Sequence, residues 1–429
     1  VRGLGLDVDD YSVNSPVLAN VSSVASPTIV TRLLNRRRLH TYPWLLLVVS
    51  LCIWGVNLSQ ANGLIDMLGH PIGGDYVTFH AASNLVQDGR PGDVYDLASI
   101  HEAENEALGT DGGAFAWHYP PTFLVIVTGL AFLPYLAAFA LWSIATAGLL
   151  YAGVRGLLRE HVVLAAAIGF PGLLINFIGG QTGFLSAAIL ALGLTQLEKR
   201  PFVAGAMLGA IVYKPHFAPL VFLVLLATNR KQAFAGAVMS AAALSCVSLL
   251  LFGAGTWRAF VENIPFASDL LYEGGINLLK MTTVSAALTE FGLSRPATQI
   301  VQAVVSIAVA VYTVRLWRSE APDRLKYAAL CFGVVLAAPF AFDYDLVVMG
   351  LGLLFLGIEC QVTGWRRWEA EVMVLAWVAP LVLVPLAQVT GIVTMPVLMA
   401  ALLAVTARRS SPASPEYVRA GVEALPQAA

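Results

Sequence analysis

An all-α polytopic membrane protein is the fold class this sequence predicts, and three observations predict it. Of its 429 residues 58% are hydrophobic and only 12% charged, about half the charged share of an ordinary soluble domain. Mean hydropathy is +0.73, and apolar runs of roughly 20 residues, long enough to cross roughly 30 Å of hydrocarbon, recur along most of the chain. These runs are continuous rather than alternating, which selects helices over a barrel.

Taken in order, the runs place spans near 42–59, 120–154, 161–178, 182–197, 201–213, 215–228, 232–252, 297–316, 325–341, 344–360, 369–389 and 391–406, about twelve in all. The 120–154 run is broken at Pro134. It is too long for one crossing and too short for two, so it reads as one crossing plus a re-entrant or tilted piece. The runs 201–213 and 215–228 are short and read as broken or half-membrane helices. The first run follows a polar tail and reads as a retained anchor rather than a cleaved leader. The tails 1–38 and 410–429 read as disordered, leaving a membrane domain over 39–409. Cys52, Cys246, Cys331 and Cys360 fall in or beside apolar runs with no close pair, the pattern of neither a disulfide framework nor a metal site.

Charge placement tests the span order through the positive-inside rule. Arg36, Arg37 and Arg38 precede the first span. Arg155/Arg159, Lys199/Arg200, Arg230/Lys231, Arg315/Arg318/Arg324/Lys326, Arg366/Arg367 and Arg408/Arg409 then fall at every second break. Of 25 Lys and Arg, all but Arg90, Lys214, Arg258, Lys280 and Arg295 land on that side. Both chain ends are therefore expected in the cytoplasm. Two long loops, 60–119 and 253–296, face the other way, and long connections among packed helices suggest a functional surface.

Polar residues at the span ends converge on that outer side. The first loop holds "GGDYVTFH", with Asp75 and His80, and ends in "WHYPP", with His118 and Tyr119. Gln181 lies in "GGQTG", Lys214 and His216 in "YKPH", and Asp343 and Asp345 in "FDYD". Each has a structural alternative. Asp75, after two glycines and before a helix that Gly89 ends, is also a candidate N-cap, and capping does not exclude catalysis. Lys214 at a helix end is a candidate snorkelling lysine, yet an intramembrane charge costs about 2.5–3.5 kcal/mol and usually faces a cavity or a partner. His118 suits an interfacial aromatic belt, and Gln181 a Gly-Gly turn. The Asp343/Asp345 pair resembles the D-x-D signature of soluble nucleotide-sugar transferases without their fold, and reads as a helix start with a substrate contact.

In order along the chain, "DYVTFHAASNL", "VYD", "WHYPPTFLVIVTGLAFLPY", "GQTGFLSAAIL", "YKPHFAPLVFLVLL" and "DYDLVVMGLGLL" resemble glycosyltransferase family 87 over residues 40–405. His80 stands where many relatives are expected to carry an aromatic. The resemblance implies a GT-C enzyme, similar to α-mannosyltransferases that use polyprenyl-phosphate mannose. It also implies that an acid in the first outer loop is the catalytic carboxylate, the position Asp75 occupies.

The expected donor is thus a sugar on a polyprenyl phosphate, and the expected acceptor a lipid or glycan hydroxyl. Asp75 is the expected base. The first loop carries nine acids against Arg90 alone, so the leaving phosphate needs a cation from elsewhere: Lys214 first, then His216, His118, Arg258 and Lys280. No acid and histidine cluster has ligand-like spacing, so neither a metal nor a cofactor is expected, and no nucleic-acid partner; membrane lipids surround the chain, expected in a bacterial inner membrane. A transporter is the competing reading from another class, with broken helices around a midplane site and often inverted repeats; this chain shows one-sided polarity and no visible repeat. A non-catalytic envelope-assembly scaffold is the third.

Overall fold

The computed structural model describes residues 36–111, 115–158, 161–272 and 277–410. Among the described residues it is helical, with isolated bridges but no β-strand. In chain order the helices are α1 (Arg36–Ser59), α2 (Tyr76–Gln87), α3 (Leu97–Leu108), α4 (Pro121–Val127), α5 (Tyr135–Val154), α6 (His161–Ile168), α7 (Pro171–Ile178), α8 (Gly183–Gln196) and α9 (Pro201–Gly209). Then follow α10 (Ala218–Ala227), α11 (Lys231–Tyr272), α12 (Val284–Glu290), α13 (Arg295–Arg318), α14 (Asp323–Ala337), α15 (Leu346–Thr363), α16 (Glu369–Thr390) and α17 (Met395–Ser410). Among the described residues six helical stretches are long and apolar enough to cross a membrane: His40–Ser59, Tyr135–Val154, Lys231–Leu270, Arg295–Arg318, Asp343–Thr363 and Glu369–Thr390. The chain is an all-α polytopic membrane protein. Apart from Arg36–Arg38 and Ser410, which are helical, the tails 1–38 and 410–429 lie outside the described residues.

Several expected spans are subdivided, each for a local reason. The 120–154 run splits into α4, a 3-10 turn at Leu130–Phe132, and α5, which starts after Pro134; proline lacks the amide that would continue the helix. The 161–178 run breaks between α6 and α7, where Pro171 takes the first helical position. The long loops carry helices: α2 and α3 lie within 60–119, and α11 runs past a bend at Gly253 (φ 79°) to Tyr272.

Small residues let helices α9 and α11 meet backbone to backbone. A Cβ on Gly205 would fall 1.8 Å from the Ala233 carbonyl oxygen, and one on Gly209 2.2 Å from that of Ala237. In lipid such close packing replaces the hydrophobic drive that holds soluble helices together. Gly205→Ala is therefore expected to force the pair apart and cost about 1–3 kcal/mol, read as a lower thermal midpoint in detergent; an unchanged midpoint would show that the contact is slack.

Basic residues gather at one end of the bundle. Arg409 pairs with the buried Glu369 and donates to Thr363 Oγ1 and the Gly364 carbonyl at 2.7 Å each. Nearby in the same half, Arg230 reaches Glu198 at 2.6 Å and lies over the Trp317 ring. The opposite end collects the turns that carry Asp75, Gln181, Lys214, Lys280 and Asp343–Asp345, as the following contacts show.

Candidate active site

Asp75 is set by two glycine turns that touch. Gly73 and Gly74 have φ of +90° and +53°, and Gly180 has +53°; left-handed backbone of this kind favours glycine. A Cβ on Gly180 would lie 2.5 Å from Tyr76 Cβ, so only bare backbone there allows the approach, while one on Gly74 would meet Gly179 Cα at ordinary contact distance. Tyr135 donates to the Ile72 carbonyl at 2.7 Å and Trp142 to that of Gly180 at 2.8 Å, fixing both turns from α5.

Across that contact Gln181 Nε2 donates to Asp75 Oδ2 at 2.5 Å. Asp75 precedes α2, but its side chain makes no cap bond. Its carboxylate is spent on Gln181, not on the helix end. Burial raises the Asp75 pKa, while the positive charge of Lys280 and the Gln181 bond pull it down. The other amide atom, Gln181 Oε1, is buried without a partner among the described residues.

The second wall is the 3-10 turn Asp343–Asp345 that opens α15. Asp345 is buried and forms an ion pair with Lys214, each side chain 2% exposed. Asp345 Oδ2 also accepts from the Phe342 amide at 3.2 Å, and the Lys214 ammonium lies 4.9 Å from the Tyr344 ring centre. A Cβ on Gly183 would fall 2.1 Å from the Tyr344 carbonyl oxygen, which brings this turn against the start of α8.

Lys280 arrives on a short 3-10 turn, Leu278–Lys280. The next residues are pinned to the wall: Thr282 donates its amide to the Ala341 carbonyl at 2.9 Å, and Ser285 Oγ to that of Pro339 at 2.7 Å. Lys280 is exposed, and its charge acts on both Asp75 and Asp343. Tyr119 completes the cluster, with its hydroxyl 3.3 Å from Thr182 Oγ1; it also senses the charges of Asp75 and Asp345.

The structure thus brings together Asp75, Tyr119, Gln181, Lys214, Lys280, Asp343 and Asp345, with half-buried His216 close enough to feel the Lys214 charge. It redistributes their roles. Lys214, the first-choice phosphate cation by sequence, is already neutralised by Asp345, whereas Lys280 makes no ion pair among the described residues. His118 is half-buried, and burial pushes its pKa down to about 4, so it is neutral near pH 7 and brings no charge to a phosphate. His80 is turned into packing: its Nε2 lies 3.2 Å from the Leu133 carbonyl and its ring 5.4 Å from that of Tyr135. Arg258 is exposed on the outer half of α11; among the described residues no contact joins it to the Asp75 cluster.

Sequence reading missed Thr182, Tyr213, Tyr344 and Glu104. The first three adjoin residues that were singled out. Tyr213 joins them through its hydroxyl, 2.5 Å from Ser186 Oγ and donated to the Thr182 carbonyl at 3.2 Å. Glu104 gives no local signal among nine loop acids. It is fully buried, accepting from Thr78 Oγ1 at 2.6 Å and the Phe115 amide at 3.0 Å, and so ties α3 to α2 and to the segment leading to Tyr119. Burial raises its pKa from 4.5 to about 7. The folded protein then keeps a proton that the unfolded chain loses above pH 4.5. Stability falls as pH rises from about 4.5 to 7, by on the order of 3 kcal/mol, and is flat above that window. Glu104→Gln keeps both bonds, its oxygen accepting from Phe115 and its amide donating to Thr78. The drop in thermal midpoint between pH 5 and pH 8 is expected to shrink in that variant; an equal drop in both proteins would place the buried proton elsewhere.

The model of glycosyltransferase family 87 matches residues 117–339, just over half of the chain. The chain belongs to glycosyltransferase family 87. It is therefore a membrane glycosyltransferase that moves a sugar from a donor to an acceptor, and the transporter and scaffold readings fall away. The match takes in Tyr119, Gln181, Lys214, His216, Arg258 and Lys280 and stops short of Asp75, Asp343 and Asp345, which join the family 87 segment through the contacts above. Comparison with the curated proteins and with the solved structures finds no match.

Proposed function

We propose that this family 87 enzyme transfers a hexose, mannose by the family resemblance, from a polyprenyl phosphate to a lipid or glycan hydroxyl at the extracytoplasmic face, with inversion. The observation that carries the reading is the Asp75 carboxylate: half-buried, held by Gln181, and under the positive charge of Lys280. The acceptor oxygen bonds to the anomeric carbon as the bond from that carbon to the phosphate oxygen breaks. The acceptor proton goes to Asp75, and the bond electrons leave with the lipid phosphate. A base at the attacking hydroxyl and a cation at the departing oxygen are the groups this step needs. Lys280 takes the phosphate, since it is exposed and its charge reaches the Asp75 side of the site. Gathering of the basic clusters at the opposite end of the bundle supports a cytoplasmic location for both chain ends, in a bacterial inner membrane.

The test is transfer of radiolabelled mannose from polyprenyl-phosphate mannose to lipid and glycan acceptors, in membranes holding the native chain. Label in product supports donor and sugar together; none with mannose but label from another hexosyl lipid moves the sugar and keeps the chemistry. Lys280→Ala is expected to raise the donor KM at least tenfold, with Lys280→Arg close to native. A donor KM unchanged in Lys280→Ala would return the phosphate role to Lys214.

A further inference from the structure

The helix beyond the Gly253 bend, residues 254–272, presents three separate faces. At 100° per residue, Thr256, Phe260 and Asn263 fall on one side, and that side is packed. Thr256 is buried, the Phe260 ring centre lies 5.8 Å from that of Tyr95, and Asn263 Nδ2 donates to the Trp117 carbonyl at 3.3 Å. Trp257, Val261 and Ile264 fall within about 60° of one another on a second side. There Val261 is 58% and Ile264 51% exposed. Arg258 and Glu262 lie exposed on a third side, within about 40° of each other, and Phe266, 37% exposed, sits between that side and the packed one. A helix in water has no reason to divide its exposed surface into an apolar and a charged strip.

A helix at a bilayer surface does, because its apolar strip enters the boundary between headgroups and chains while its charges stay wet. Just before the bend, in the half long and apolar enough to span, Leu250 is 84% and Leu251 61% exposed. We propose that residues 254–272 lie in the bilayer interface on the side of the Asp75 site, with Val261 and Ile264 in lipid and Arg258 and Glu262 in water. The inference stands on packing and exposure and does not rest on the catalytic reading. Its consequence reaches the site through Asn263 and Phe260. They hold the Trp117 and Tyr95 segments, and both Trp117 Nε1 and Tyr95 OH donate to the Tyr119 carbonyl at 2.8 Å. The interfacial helix thereby fixes the Tyr119 wall at headgroup depth.

The test uses the full chain in phosphatidylethanolamine and phosphatidylglycerol vesicles, with Cys52 and Cys246 changed to Ser. Single nitroxide labels are placed through Val261→Cys, Ile264→Cys, Arg258→Cys and Glu262→Cys, with Leu250→Cys as the lipid reference. Relaxation by oxygen, which favours lipid, is compared with relaxation by a water-soluble nickel chelate. The expected oxygen-to-nickel ratio at 261 and 264 is several-fold above that at 258 and 262 and approaches that at 250. Nickel access at 261 and 264 equal to that at 258 would overturn the proposal in favour of a water-exposed face. Exclusion of both reagents from 261 and 264 would overturn it in favour of a protein partner or a second copy.

Discussion

Asp75→Asn is expected to lower transfer by about a hundred- to ten-thousand-fold with the protein still folded, because the amide cannot accept the acceptor proton. Its shape is kept, and its side-chain oxygen can still accept from Gln181, which donates to Asp75 in the native chain. Initial rates at matched amounts of monodisperse protein, with equal thermal midpoints, make the comparison. Near-native transfer by the variant would sink the base assignment. The pH profile supplies a second readout. A base works deprotonated, and burial raises the Asp75 pKa, so the rate should climb with pH through a value above the ordinary carboxylate range and then level. Lys280 holds that pKa down. Lys280→Ala should therefore move the acidic limb to higher pH, and Lys280→Arg should leave it in place. A limb that stays put in Lys280→Ala would mean that some other group sets the profile.

Lys214→Met is expected to be among the most destabilising single changes in the bundle, roughly 3–5 kcal/mol, because it strands the buried Asp345 carboxylate. The pair ties the break between α9 and α10 to the turn that opens α15. Removing both charges in Lys214→Met/Asp345→Asn should recover most of the loss, since replacing a buried ion pair by neutral groups is often nearly free. Thermal unfolding of the two single variants and the double variant gives the coupling directly. Additive losses, with no recovery in the double variant, would contradict the geometry. Transfer by the recovered double variant then separates two roles. Restored rate makes Lys214 a positioning residue, and absent rate in a stable protein gives it a substrate contact.

Much of the site was legible one residue at a time. Asp75, Gln181, Lys214 and the Asp343/Asp345 pair stand out because a polar group beside a membrane span is costly and conspicuous. Their pairing was not legible. Gln181 lies 106 residues from Asp75 and Lys214 131 from Asp345, and no local pattern encodes which turn meets which. Glu104 shows the same limit from the other side, for an acid in a polar loop looks solvated until α2 and the Phe115 segment close over it.

By itself the sequence determined the helical class, the order of the long apolar helices and the collection of polar turns at one end. Each follows from a one-dimensional quantity: apolar run length against bilayer thickness, proline position, or the spacing of charge along the chain. Tertiary structure alone decided that Lys214 is neutralised by Asp345, that Lys280 is an exposed cation whose charge reaches Asp75, that His80 and His118 are packed rather than charged, and that α11 turns at Gly253 to lay its outer half over the first loop. Those outcomes depend on desolvation and on contacts between distant turns, and such quantities exist only once the helices have packed.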